Sequence, residues 1–326
     1  MATPSADESP PSPADREAAA RDLYHHLREQ LREEVVGHSA TVDRLALVGA
    51  QHAAGIPSRL VLVGPPGVGK TTLVRTLAES LRLPYLLVDL TELAETNFSG
   101  LQLADLLASL YIQAESSVRR MAKAVIVLDE LDKLAMREAS TVGRDYRRGK
   151  QQSLLALLGG GVPLRFGMSG DRDRSMQWTS DSALIIGAGV FAGLPSGRDP
   201  APEDLIRLGL MPELVERLGQ VIRLQPLGAA ELARVLERRL HPMRTAFEAF
   251  GYGLVVSPAA LASVAQAVAQ GHGRAGPRTA AAWLVAAAQR GLTTLLNGGA
   301  SPGTIWTLTP DDIADRLVVR PGPRRR

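Results

Sequence analysis

Between residues 58 and 190 short apolar runs alternate with longer stretches of mixed polarity. "SRLVLVG", "PYLLVDL", "AKAVIVLDE" and "SALIIGAG" are each brief, apolar and bounded by turn signals, so they read as buried strands. The segments between them, Thr71 to Leu81, Gln102 to Arg120 and Gln151 to Leu158, carry helical patterning. Strands alternating with helices predict a parallel sheet covered on both faces. Ahead of this block, "AARDLYHHLREQLREEVVG" spaces Leu23, Leu27, Leu31 and Val35 four apart, an apolar stripe along one helix that stops at Gly37. The alternation ends near Arg223, beyond which "LGAAELARVLERRLHPMRTAFEAFG", "PAALASVAQAVAQG" and "PRTAAAWLVAAAQRGL" are helical, followed by a short strand and a turn of helix in "GTIWTLTPDDIADRLVV". The first residues, "MATPSADESPPSPADRE", have too few apolar side chains to order themselves. The expected organisation is a disordered tail over 1–17, a large α/β domain over 18–226, a smaller mainly helical domain over 227–320 and a basic tail over 321–326.

Composition narrows this picture. Of 326 residues 45% are hydrophobic but only 4% aromatic, so the core is expected to consist of Leu, Val and Ala. There is no cysteine, which excludes disulfides and thiolate-bound zinc and is compatible with a reducing cytoplasm, the expected location. No apolar run approaches the roughly 18 residues of a membrane span, and the N-terminus has no signal-peptide pattern. The formal charge is +3, and part of the basic excess lies in "PGPRRR", so charge argues only weakly for nucleic acid and reads first as a solvated tail; the Ala-rich C-terminal helices, with few clustered basic residues, argue against a nucleic-acid partner.

The chemistry concentrates in "LVGPPGVGKTTLVRTL". Gly64, Gly69, Lys70 and Thr71 satisfy G-x-x-x-x-G-K-[ST], after an expected strand and opening an expected helix. Glycines let backbone amides turn toward phosphate oxygens, and the dipole of the following helix adds positive potential. Contacts to ATP are therefore expected from Pro65, Pro66, Gly67, Val68, Gly69, Lys70, Thr71 and Thr72, with the Thr71 hydroxyl a ligand for Mg2+. "AVIVLDELDKL" ends a strand in Asp129 and Glu130, where open α/β sheets collect ligands. Asp129 is expected to hold Mg2+ and Glu130 to orient or deprotonate the attacking water. Asp132 and Lys133 read as a helix start, where an acid satisfies free amides.

These residues resemble the AAA+ ATPases and, within them, the ClpX branch of protein unfoldases. "LDELDKL", "GKQQSLLALLGG" and "GAGVFAGL" are similar to that branch, and "PEDLIRLGLMPELVERLGQVIRL" most specifically so. The resemblance implies an α/β P-loop AAA+ fold, its parallel sheet flanked by helices, followed by a smaller mainly helical C-terminal domain. It also implies that Arg217 is an arginine finger reaching the terminal phosphate of a neighbouring subunit; an ordinary surface ion pair is the alternative. Val36 and Gly37 fall where the family holds adenine. "DLTELAETNFSG" places Phe98 where the family has a pore aromatic, with a core or cap residue as its alternative role. Arg172 and Arg174, in "MSGDRDRSMQW", fall at a basic entrance loop or form a solvated charged loop.

Three departures modify what the resemblance implies. Without cysteine, the N-terminal zinc domain of ClpX is expected to be missing. Only Pro195 to Ala201 separate "VFAGL" from "PEDLI", where ClpX carries a loop that docks its peptidase, which argues against ClpP as partner. The family pattern G-A-R-x-L-R is replaced by Gly273, Arg274, Ala275, Gly276, Pro277 and Arg278, leaving Arg278 or Arg274 as the second sensor. The leading expectation is an ATP hydrolase that unfolds a protein substrate by threading it through a ring, a hexamer, in the cytoplasm and away from any membrane. The alternatives are a nucleic-acid motor or loader and a regulatory ATPase of a larger assembly.

Overall fold

The computed structural model describes residues 12–91, 100–135, 141–159, 164–166, 176–195, 198–269 and 276–314. Contacts divide the chain into two compact units: residues 1–64 with 70–224, and residues 65–69 with 225–326.

The first unit is built on five strands, β1 (Arg59–Val63), β2 (Tyr85–Asp89), β3 (Val125–Asp129), β6 (Leu184–Gly189) and β7 (Gln220–Arg223), in the order β2-β3-β6-β1-β7. All pairings are parallel. β6 is buried along its whole length and β3 along its first four residues, as a sheet covered on both faces requires. The four strands expected from the apolar runs are all present, whereas β7 was not foreseen. Its four residues follow Gly219, which has φ 74° and where a Cβ would lie 2.9 Å from the Arg59 carbonyl, so the turn brings a short run into register with β1. Two further strands, β4 (Leu164–Phe166) and β5 (Met176–Trp178), form an antiparallel pair beside the charged segment that holds Arg172 and Arg174, which lie outside the described residues.

The first helix, α1 (Pro13–Glu34), starts five residues before the expected Ala18. The reason is local: Pro13 fits the first helical position, while Ser12 and Asp15 exchange backbone and side-chain hydrogen bonds as a capping box. Leu27 and Leu31 of its stripe are fully buried, and α1 packs on α2 (Ser39–Ala53), with Arg28 donating to Asp43 at 2.7 Å. Helix α3 (Lys70–Leu81) follows β1 as expected. The single helix expected over 102–120 is two, α4 (Gly100–Gln113) and α5 (Val118–Ala122). Glu115 and Ser116 both adopt positive φ, and the Ser117 hydroxyl accepts from the Arg120 amide as the cap of α5. Helix α6 spans Thr141–Leu158, beginning ten residues before the expected Gln151. Short helices α7 (Pro202–Arg207) and α8 (Pro212–Leu218) precede β7, each with Pro in its first turn.

In the second unit, α9 (Ala229–Arg239), α10 (His241–Ala249), α11 (Pro258–Ala269) and α12 (Pro277–Asn297) enclose a core that includes Leu232, Leu236, Phe247 and Leu284. The expected terminal strand is β9 (Ile305–Leu308), and it pairs in parallel with β8 (Gly253–Val256), a strand not foreseen because "GLVV" is so short. A 3₁₀ turn over Pro310–Ile313 follows.

Candidate functional site

The loop between β1 and α3 is shaped by close approach. At Gly64 a Cβ would sit 2.6 Å from the Leu224 carbonyl, so a side chain there would force displacement, and Gly69 has φ 104°, a conformation strained for any residue with a side chain. Lys70 opens α3 yet is buried, and its Nζ donates back to the Gly64 carbonyl at 2.8 Å, spanning the loop from end to start. The Thr71 hydroxyl donates to Asp129 Oδ2 at 2.9 Å. That brings the hydroxyl of the loop and the acid at the end of β3 into contact at the C-terminal edge of the sheet, where the strand order places the ligand crevice of such folds. Two hard oxygen donors together are the kind of set Mg2+ takes. Thr72, next along α3, is exposed.

Asp129 also accepts from the Glu130 amide at 2.9 Å through its other carboxylate oxygen. Glu130 leaves the strand in the left-handed region, φ 56° and ψ 33°, and its carboxylate is 40% exposed. Burial pushes its pKa above the ordinary carboxylate value; Asp132 adds to this, nearby Lys133 opposes it, and Asp129 and Asp89 raise it further. Asp132 satisfies a free amide, as expected, but not one in its own turn. Its Oδ1 accepts from Val190 N at 3.0 Å and so closes the end of β6, while residues 131–134 form a 3₁₀ turn.

Within the second unit, Pro65, Pro66, Gly67 and Val68 line a cavity of about 480 Å3 together with the first turn of α12. Arg278, the second residue of that helix, is exposed and lines the same cavity. Leu227, Leu232 and Val268 supply its apolar wall, and the size suits a small-molecule ligand. The structure thus gathers one set of expected site residues here and another, Lys70, Thr71, Asp129 and Glu130, in the first unit. Val36, buried, and Gly37, at φ 79°, lie at the junction of α1 and α2 in the first unit. Phe98 and Arg274 lie outside the described residues.

Arg217 lies apart from the phosphate loop. Arg59, the first residue of β1, donates from Nη1 to the Arg217 carbonyl at 3.4 Å and to the Leu158 carbonyl at 3.0 Å. Arg217 therefore flanks the N-terminal end of β1, whereas Lys70 and Thr71 follow its C-terminal end, a strand length of about 13 Å away at ~3.3 Å per residue.

A residue whose role sequence reading missed is Gln151. It is wholly buried: its Nε2 donates to the carbonyls of Leu134 at 2.8 Å and Gly209 at 3.2 Å, and its Oε1 accepts from Met211 N at 2.6 Å. It thereby ties the turn after Glu130 to the start of α8, which bears Arg217. The available signal was its spacing: 151, 154 and 158 share a helix face, and the latter two are buried leucines.

Comparison with known proteins bears on the fold that carries these residues. Residues 60–188 match the model of the family described as "ATPase family associated with various cellular activities (AAA)". The chain is 29% identical to the ATP-dependent Clp protease ATP-binding subunit ClpX 2 of Wolinella succinogenes, over 55% of its own length and 51% of that protein's. It spans about half the length of the curated relative it matches. The fold is α/β, a parallel sheet flanked by helices as in P-loop AAA+ proteins, and residues 60–188 resemble an AAA ATPase domain. No helix among the described residues is long and apolar enough to cross a membrane.

Proposed function

We propose that this chain is an ATP-driven protein unfoldase or remodelling chaperone similar to ClpX, acting as a ring, with six subunits the expected number. Lys70 and the loop amides hold the nucleotide phosphates, Thr71 and Asp129 hold Mg2+, and Glu130 takes a proton from the attacking water. Bound Mg2+ would neutralise charge on the transferring phosphoryl group. Val36 and Gly37 contribute to the adenine site, and Arg278, which lines a cavity with Pro65 to Val68, serves as second sensor, with Arg274 as its alternative.

The observation that carries the ring is the placement of Arg217. An arginine whose backbone flanks the N-terminal end of β1, while its own phosphate loop follows the C-terminal end, is better set to serve a neighbour's site than the phosphate of its own chain. Assembly then governs turnover. Motion driven by hydrolysis would be transmitted to polypeptide through Phe98, a rigid side chain suited to gripping an extended chain. The relative is named as a subunit of a Clp protease. Here the short Pro195 to Ala201 segment supports action without ClpP, so that the unfolded product is released in the cytoplasm.

Purified protein is expected to unfold a tagged fluorescent substrate when ATP is supplied, and Phe98→Ala to stop unfolding while retaining most ATPase activity. Unfolding unaffected by that substitution would remove Phe98 from the pore. ATPase activity stimulated by DNA and not by unfolded protein would replace the unfoldase reading with a nucleic-acid motor.

A further inference from the structure

Arg59 has no place in the phosphate-loop motif, yet it stands at a junction the hydrolytic cycle depends on. It begins β1, and a single nitrogen of its guanidinium reaches the last residue of α6, Leu158, at 3.0 Å and the next-to-last of α8, Arg217, at 3.4 Å. Both acceptors are carbonyls at helix C-termini, which have no partner within their helix and carry the negative end of the dipole. The Arg217 side chain itself runs over the end of α6, since a Cβ on Gly159 would come within 3.4 Å of Arg217 Nη1. Two guanidinium groups therefore flank one helix terminus. Burial lowers the pKa of Arg59, Asp181 opposes the shift, and Arg217 lowers it further, so the two cations feel each other. The start of α8 is fixed independently, because Met211 N and the Gly209 carbonyl are held by Gln151 from α6. With Arg59 at the other end, α8 is pinned to α6 at both termini.

We propose that Arg59 is a positioning residue for the Arg217 finger: by bonding the Arg217 and Leu158 carbonyls it fixes the end of α8 and holds the Arg217 guanidinium where a neighbouring subunit meets it. The inference rests on the reading of Arg217 as a finger acting between subunits. Arg59 touches neither nucleotide nor attacking water, so its loss leaves binding at its own phosphate loop intact and impairs only the service rendered to the next subunit. A misplaced reacting group costs up to about a hundredfold in rate, and a lost finger about a thousandfold.

The test uses the full chain at concentrations where it assembles. Arg217→Ala is expected to lower kcat by about a thousandfold. Arg59→Ala is expected to lower it by at least tenfold, about a third to two-thirds of the finger effect on a logarithmic scale, with KM for ATP unchanged. Arg59→Lys, which keeps a cation able to donate to both carbonyls, should recover part of the loss and replaces Arg59→Ala if that variant melts early. The double variant Arg59→Ala/Arg217→Ala should be no slower than Arg217→Ala alone. Mixing is the decisive arm. Glu130→Gln subunits hydrolyse nothing but carry an intact finger, so adding them should restore turnover in Arg59→Ala subunits as it does in Arg217→Ala subunits. If Arg217→Ala hydrolyses ATP at the parent rate, the finger reading itself fails. If Arg217→Ala is inactive while Arg59→Ala keeps the parent kcat, or if Glu130→Gln subunits rescue Arg217→Ala and not Arg59→Ala, the finger reading stands and the positioning role of Arg59 is overturned.

Discussion

His52 shows how a single polar side chain is accommodated inside this core. It lies on α2, 2% exposed, with Nε2 donating to the Lys123 carbonyl at 2.8 Å. Burial lowers its pKa, the carbonyl opposes this, and the charge of Lys123 lowers it further, so the folded state favours the neutral ring. Unfolded histidine titrates near ~6.5. Because the folded value is lower, the unfolded chain binds more protons in the interval between the two. Stability is then fully present above the unfolded pKa and falls as pH drops through the folded one. Thermal melts at pH 7.5 and 5.5 should differ by less in His52→Gln, whose amide still donates to Lys123 but cannot take up a proton. An equal acid loss in both proteins would show that other groups set the pH dependence.

Elements were legible where their chemistry is local, and obscure where it is made at a distance. The loop of Gly64 to Thr71 and the acids ending β3 could be read directly because backbone conformation and charge sit in consecutive residues. The capping box at Ser12 and the Ser117 cap that splits α4 from α5 were also present in the letters but outweighed by composition and by helical patterning. β7 and β8 were not legible: four apolar-rich residues become strands only when a partner is available, and those partners, β1 and β9, come from far along the chain. The same holds for Asp132, which closes β6 and not its own turn, and for Arg59 and Gln151, whose acceptors lie on other elements. Gln151 joins three of these elements. Gln151→Leu would strand the Met211 amide and two carbonyls in the interior, at a cost of about 3 kcal/mol, to be read as a lower urea midpoint with unchanged slope. A midpoint within error of the parent would mean that α8 holds its place without that side chain.

At the level of the whole molecule, the sequence divides at the phosphate loop itself, since residues 65–69 group with the C-terminal unit and the residues on either side with the first. The fold class followed from the order of strands and helices and the phosphate-loop motif from consecutive residues; the proposed assembly rests on the separation of Arg217 from its own phosphate loop, which no local pattern encodes. Glu130→Gln should bind ATP without turnover and hold the assembled state, so the mass of the ATP-bound complex should be that of a ring. A monomer under those conditions would contradict the motor.

Glu130 occupies a backbone region that costs an ordinary L-residue about 1 kcal/mol and that Asn or Gly enters more readily. The protein is thereby kept slightly short of its greatest possible stability by the very position proposed to activate water. Glu130→Asn is expected to melt a degree or more above the parent while hydrolysing no ATP, so a screen for heat resistance alone would select toward an inert protein.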